Sequence, residues 1–217
     1  MGFILNGKPF AIKSAELFAT IHAPDRRRKY WPRRNRTAGD PRIFWSLEVW
    51  AAGEIDGAET DARVMAEEMH FPVRRWIDLA ERTVEWAGRP GEKADGRPYG
   101  CFYLEEHDMI DHARLRIAER DGVAFRFEWE GVCKAYLYEH DVPFSASGWA
   151  TFTGVSVYEN GAGSDESMRD RLALYLDPRD FVQGTLLCRS DRQGYFRHVE
   201  SCHTVFTPSE AATTFPS

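Results

Sequence analysis

The sequence predicts an all-β, mainly antiparallel fold: a β-sandwich or partly open β-barrel with one C-terminal amphipathic helix. Three observations lead there. Apolar and polar residues alternate over many short stretches, turn signals separate those stretches, and only one segment carries a 3.6-residue period. Aromatic residues make up 13% of the 217 residues, seven of them Trp. Such flat side chains pack well across a pleated surface. The length suits one domain, taken as residues 1–207, with 208–217 as a tail expected to fray.

The elements follow in order. Asn6-Gly7 within ILNGKPFAI is a hairpin signal. A strand is expected over 9–20. In RIFWSLEVW (42–50), Ile43, Trp45, Leu47 and Val49 share one face, so one side of a strand is buried there. Further strands are expected at 62–70, 82–87, 99–105, 133–139, 148–158, 183–189 and 195–206. The segments 113–119 and 123–130 flank Arg120-Asp121-Gly122, a three-residue loop with Gly in the left-handed position. That loop predicts Ile117 opposite Phe125, Leu115 opposite Phe127 and Arg114 opposite Glu128, with the apolar side chains on one face. SDESMRDRLALYL (164–176) is the helix: Met168, Leu172, Tyr175 and Leu176 form one stripe, Ser164 caps it and Pro178 ends it. The polar stretch 88–98 is a loop, and no repeat is visible.

The four cysteines, Cys101, Cys133, Cys188 and Cys202, are widely spaced in strand-like contexts. They are expected to be reduced core residues. The opening MGFILNGKPFAI lacks a cationic leader, and no apolar run is long enough to span a bilayer. A cytoplasmic protein without membrane contact is therefore expected.

Motifs for catalysis fail at named residues. NGAGS (160–164) sits between a strand and a helix, as phosphate-binding loops do. The dinucleotide pattern needs Gly at Glu166, the P-loop lysine is missing, and Asp165 and Glu166 would repel a phosphate. No G-x-S-x-G occurs. EEHDMIDH (105–112) offers His107, Asp108, Asp111 and His112 as metal ligands. The two imidazoles are five apart and face different ways on a strand, so a solvated loop is expected. In HVESCH (198–203), His198 and Cys202 share a strand face about 13 Å apart, too far for one ion. Glu128 and Glu130 share a face, but Arg114 and Arg126 beside them would keep both ionised. No cofactor is expected.

Charge is the remaining signal. The chain carries −6, yet RRRKYWPRRNR (26–36) holds seven Lys and Arg and no acid, which leaves −13 for the rest. Arg26, Arg27, Arg28, Lys29, Arg33, Arg34 and Arg36, with Tyr30 and Trp31, form a candidate partner-binding loop about twenty residues long. Its arginines would neutralise phosphates and its rings stack on bases. The acidity of the remainder opposes nucleic acid and favours a protein partner or self-association. The expectation is a non-catalytic binding protein, an inhibitor or accessory subunit that engages a basic macromolecule. A small-ligand barrel or enzyme with an aromatic-lined cavity, and nucleic-acid binding through 26–36, are the alternatives.

Overall fold

The computed structural model describes residues 1–22, 43–87, 99–103, 107–134, 141–160, 163–191 and 199–213. Twelve strands form one continuous, mostly antiparallel sheet. They are β1 (Gly2–Leu5), β2 (Lys8–Ile21), β3 (Ile43–Ile55), β4 (Ala58–Met69), β5 (Arg82–Ala87), β6 (Tyr99–Tyr103), β7 (His107–Asp121), β8 (Ala124–Lys134), β9 (Asp141–Asn160), β10 (Phe181–Gln183), β11 (Leu187–Asp191) and β12 (Val199–Pro208). The order β2-β3-β4-β6-β7-β8-β9 returns to β2 through a parallel β2–β9 pairing, Glu16–Ile21 beside Thr151–Val157. The sheet thus closes on itself as a barrel, and not as two stacked sheets.

The alternation read from 42–50 is kept. Ile43, Trp45, Leu47 and Val49 are all buried and point inward. The Asn6-Gly7 turn is present, with φ of 48° and 76°, the left-handed pair a two-residue hairpin requires. Asp56-Gly57 repeats it between β3 and β4.

Several expectations are corrected. The β7–β8 hairpin turns on Gly122-Val123, with Asp121 opposite Ala124, and a bulge follows between Ile117 and Glu119. Ile117 therefore meets Phe127, Leu115 meets Trp129, Arg116 meets Glu128 and Arg114 meets Glu130. Both registers keep the apolar residues inward, so alternation alone does not choose between them. EEHDMIDH is not a loop throughout, because His107 already begins β7. Of the strand expected at 133–139, Cys133 and Lys134 belong to the end of β8, and 135–139 lie outside the described residues. The strand expected at 183–189 divides into β10 and β11.

The interior is filled with rings. Trp45, Trp76, Trp129, Phe125, Phe127 and Phe152 are each almost wholly buried. Trp76 comes from a short 3-10 turn, Trp76–Leu79. Its indole stacks on Phe152 at 5.1 Å and meets Phe125 edge-on at 5.9 Å. Arg75 anchors that turn through a two-pronged bond to buried Asp180, at 2.9 and 2.8 Å.

The helix α1 spans Asp165–Ala173, with Ser164 and Ser167 completing a reciprocal cap and Met168 and Leu172 buried. Where a tail was expected, a second short helix, α2 (Glu210–Thr213), docks with Ala212 buried. The Ser209 N–H donates to the Asp180 carbonyl.

Cys101, Cys133 and Cys202 are buried, but the expectation of four reduced cysteines does not hold. Cys101 and Cys133 are free, whereas Cys202 is disulfide-bonded. The β11–β12 register sets Cys188 opposite Cys202. That pairing brings together cysteines whose separation in sequence gives no hint of contact.

Candidate functional site

Among the described residues a groove of about 880 Å³ opens on the outer wall. Strand register builds it. Ile4 of β1, Ser145 of β9, Glu130 of β8, Arg114 of β7 and Glu85 of β5 are successive cross-strand neighbours and form one row over five strands. A second outer row holds Pro143, Val132 and His112. Between them lies Gly131, flanked by Phe144, Ala113 and Trp86. A Cβ at Gly131 would lie 2.6 Å from the His112 carbonyl oxygen and 2.7 Å from the Phe144 ring. Only glycine lets the strands approach this closely.

Below the groove the rings run on in series. Trp86 lies 6.1 Å from Trp129, and Trp129 meets Phe144 edge-on at 5.4 Å. The indole N–H groups of Trp86 and Trp129 are buried without an acceptor among the described residues. The rim is polar. Arg114 is turned to Glu85 at 3.2 Å. Glu130 is exposed and makes no ion pair among the described residues. The groove is therefore an open channel with an aromatic floor, one neutralised pair and one free carboxylate.

The wall beside it carries a charge ladder. Arg126 bonds Glu119 at 2.8 Å and Glu128 at 2.7 Å, and Arg116 approaches Glu128 at 3.4 Å. The Arg126 guanidinium, with help from Arg116, holds the Glu128 carboxyl below its usual range. Glu128 is thus kept ionised as expected, by Arg126 and Arg116 and not by Arg114.

The sequence candidates fall in different places. Residues 26–36 lie outside the described residues. His107 and Asp108 head β7, and their side chains are likewise outside them. Asp111 is buried, while the adjacent His112 lines the groove. Among the described residues no group of three or more His, Cys, Asp and Glu is placed to hold a metal ion. Cys202 and His203 point to opposite faces, the first buried and the second stacked on the outer-wall residue Tyr158. In NGAGS, Gly163 donates its N–H to the Cys202 sulfur at 3.4 Å and Ser164 caps α1.

On the opposite wall, Arg63 lies between Trp50 and Tyr103, 5.0 and 5.1 Å from the two ring centres. Next to it lies buried Cys101. Burial, reinforced by the Glu67 carboxylate, pushes its thiol up to about 11. At pH 8 iodoacetamide is expected to leave Cys101 unmodified in the folded protein and to modify it promptly in urea. Rapid labelling of the folded chain at Cys101 would contradict this.

No single segment announces the groove, because five strands from distant parts of the chain supply it. Arg114 and Glu130 were visible as outer-face residues, whereas Trp86, Phe144 and Gly131 carried no signal of a site. Comparison with family models, with curated protein sequences and with solved structures finds no match to this chain.

Proposed function

We propose that the protein is a non-catalytic binding protein that holds an extended, cationic segment of a macromolecular partner in its outer-wall groove. The observation that carries this is Glu130, an exposed carboxylate that makes no ion pair among the described residues and stands beside an aromatic floor. Its cross-strand neighbour Arg114 is engaged by Glu85 instead. A Lys or Arg of the partner supplies the missing charge, and apolar residues beside it cover exposed Ile4. The open shape suits a chain crossing the wall better than an enclosed small molecule. The −13 carried outside residues 26–36 would speed encounter with a basic partner.

Binding of a fluorescent Lys- and Phe-containing peptide, read by anisotropy at low salt, tests the reading. Glu130→Lys is expected to weaken it about tenfold by setting like charges together. Glu119→Gln, which lies outside the groove, should change it little. Indifference of the wild-type protein to basic peptides and proteins would defeat the proposal.

Among the described residues no helix is long and apolar enough to cross a membrane. The cytoplasmic setting expected from the sequence suits free Cys101 and Cys133, but it is at odds with a disulfide at Cys202, because cytosolic thiols are held reduced. Alkylation of the denatured native protein decides: four modified cysteines place it in the cytoplasm, and two place it in an oxidising compartment.

A further inference from the structure

Two indoles remain exposed on the outer wall away from the groove: Trp50 of β3, at 42%, and Trp149 of β9, at 37%. Strand register brings them to the two sides of one small residue. Ser14 of β2 is paired with Trp50. Across the parallel seam Glu16 is paired with Thr151, so Ser14 and Trp149, each two residues earlier on the same outer face, are neighbours as well. Glu16 is exposed on that face too, with Glu48 opposite it on β3. Trp149, Ser14 and Trp50 thus form a slot with a ring at each end and the Glu16 carboxylate at its side.

The orientation of the Trp50 ring follows from its contacts. Arg63 is paired with Trp50 from the β4 side, and its guanidinium lies over the indole, 5.0 Å from the ring centre. One face of the indole is therefore turned to β4, and the other is turned toward Ser14, whose side chain is too small to cover it. The Trp50 N–H donates to Glu48 at 2.5 Å, which holds the ring along its strand. Trp149 stacks on no other ring and on no guanidinium among the described residues.

Charge around the slot is uneven. Arg63 is neutralised by Glu48, Lys13 by Asp61 at 2.8 Å, and Arg126, the cross-strand neighbour of Trp149, by Glu119 and Glu128. Glu16 makes no ion pair among the described residues. One carboxylate is left over between two indoles.

We infer that this slot binds a trimethylammonium group, carried by a trimethylated lysine of a protein partner. A cation is attracted both to the face of a Trp ring and to a carboxylate. With neighbouring strands about 4.8 Å apart, a cation midway between rings two strands apart lies about 5 Å from each, within the ~6 Å reach of the attraction. A bare ammonium is compact and strongly hydrated, whereas the methyl groups fill the width of the slot and lie against both rings. The wall is open above the rings, so it suits a head group at the end of a chain better than a free small molecule, which a closed pocket would bury. The slot shares no residue with the groove and does not rest on the reading given for it.

The test is fluorescence anisotropy of a labelled peptide carrying one trimethyllysine, measured beside the same peptide with unmodified lysine and with a neutral tert-butyl analogue of the same shape. The trimethyllysine peptide is expected to bind about tenfold more tightly than either. Trp149→Ala should remove that preference. Glu16→Gln should weaken the trimethyllysine peptide about threefold and leave the neutral analogue unchanged. Because Glu16 is exposed, this variant keeps the test open should Trp149→Ala misfold, which circular dichroism reports. Glu130→Lys should leave the preference intact, which separates the slot from the groove. The inference is overturned if the wild type binds none of the peptides or binds all three alike. It is equally overturned if folded Trp149→Ala and Glu16→Gln both keep the wild-type preference. Free choline that binds as tightly as the peptide would overturn the assignment of the group to a protein.

Discussion

Gly154→Ala is expected to destabilise the protein by about 4 kcal/mol, combining backbone strain with overpacking. Gly154 sits in β9 at φ of 124°, a conformation that residues with a Cβ rarely adopt. A Cβ there would lie 2.2 Å from the Phe206 carbonyl oxygen and 3.2 Å from the Thr207 Cα. These atoms belong to the paired backbone of β12 and cannot swing aside. The position matters because β9 changes partners around it: its pairing with β8 ends at Thr151, and its pairing with β12 begins at Val155. The parallel register with β2 shifts at the same place, between Leu17 and Phe18. Urea denaturation measures the effect. Gly148→Ala in the same strand is the control, since its nearest neighbours, the end of Ile12 and the Phe127 ring, would be 3.4 Å away, close to ordinary van der Waals contact, and no backbone atom is among them. If the two variants melt together, the steric argument is wrong.

Trp76→Ala is expected to cost a similar amount, about 4 kcal/mol, the usual range for removing a fully buried Trp. The indole fills the barrel between Phe152 and Phe125, and the Arg120 guanidinium lies 5.6 Å from its ring centre. Nothing nearby can relax into the space, because the surrounding rings are held on paired strands. The cavity left behind is walled mainly by the rings of Phe152 and Phe125, and ring-lined cavities take up aromatic molecules. Added indole should therefore raise the denaturation midpoint of Trp76→Ala and leave the wild type unchanged. A loss under about 1 kcal/mol would show that the turn merely rests on the barrel and does not fill it.

The strands and the helix were legible because their patterns are local. Trp45, Leu47 and Val49 face inward as alternation requires, and Ser164 caps α1 as its place in the sequence suggests. Asp56-Gly57 offered the same signal as Asn6-Gly7, but Ala51, Ala52 and Gly53 before it carry too little bulk to mark a strand. The β7–β8 register was hidden because the bulge after Ile117 restores the inward parity that the alternative pairing also satisfies. Trp76 was hidden because a four-residue turn has no period to detect. The groove and the indole slot were out of reach for a different reason. Glu130 and Trp86 meet through two intervening pairings, and Trp149 is brought to Ser14 and Trp50 by a parallel contact between strands far apart in the chain. Side-chain chemistry shows which residues are able to bind, but neighbourhood across a closed sheet is a property of topology.

The parallel seam between β2 and β9 also governs how the barrel is assembled in time. The Thr153 hydroxyl donates to the Leu17 carbonyl across 136 positions of sequence. Closing so long a loop costs chain entropy before any contact repays it, and folds dominated by distant pairings are slow to form. During synthesis the hairpins β1–β2, β3–β4 and β7–β8 can zip as they emerge, while the outer edge of β2 stays unpaired until β9 has followed. That edge carries Leu17, Ala19 and Ile21, and until the seam closes it is open to pairing with another nascent chain. Refolding should accordingly end in a late, rate-limiting phase, with aggregation competing against it in proportion to protein concentration.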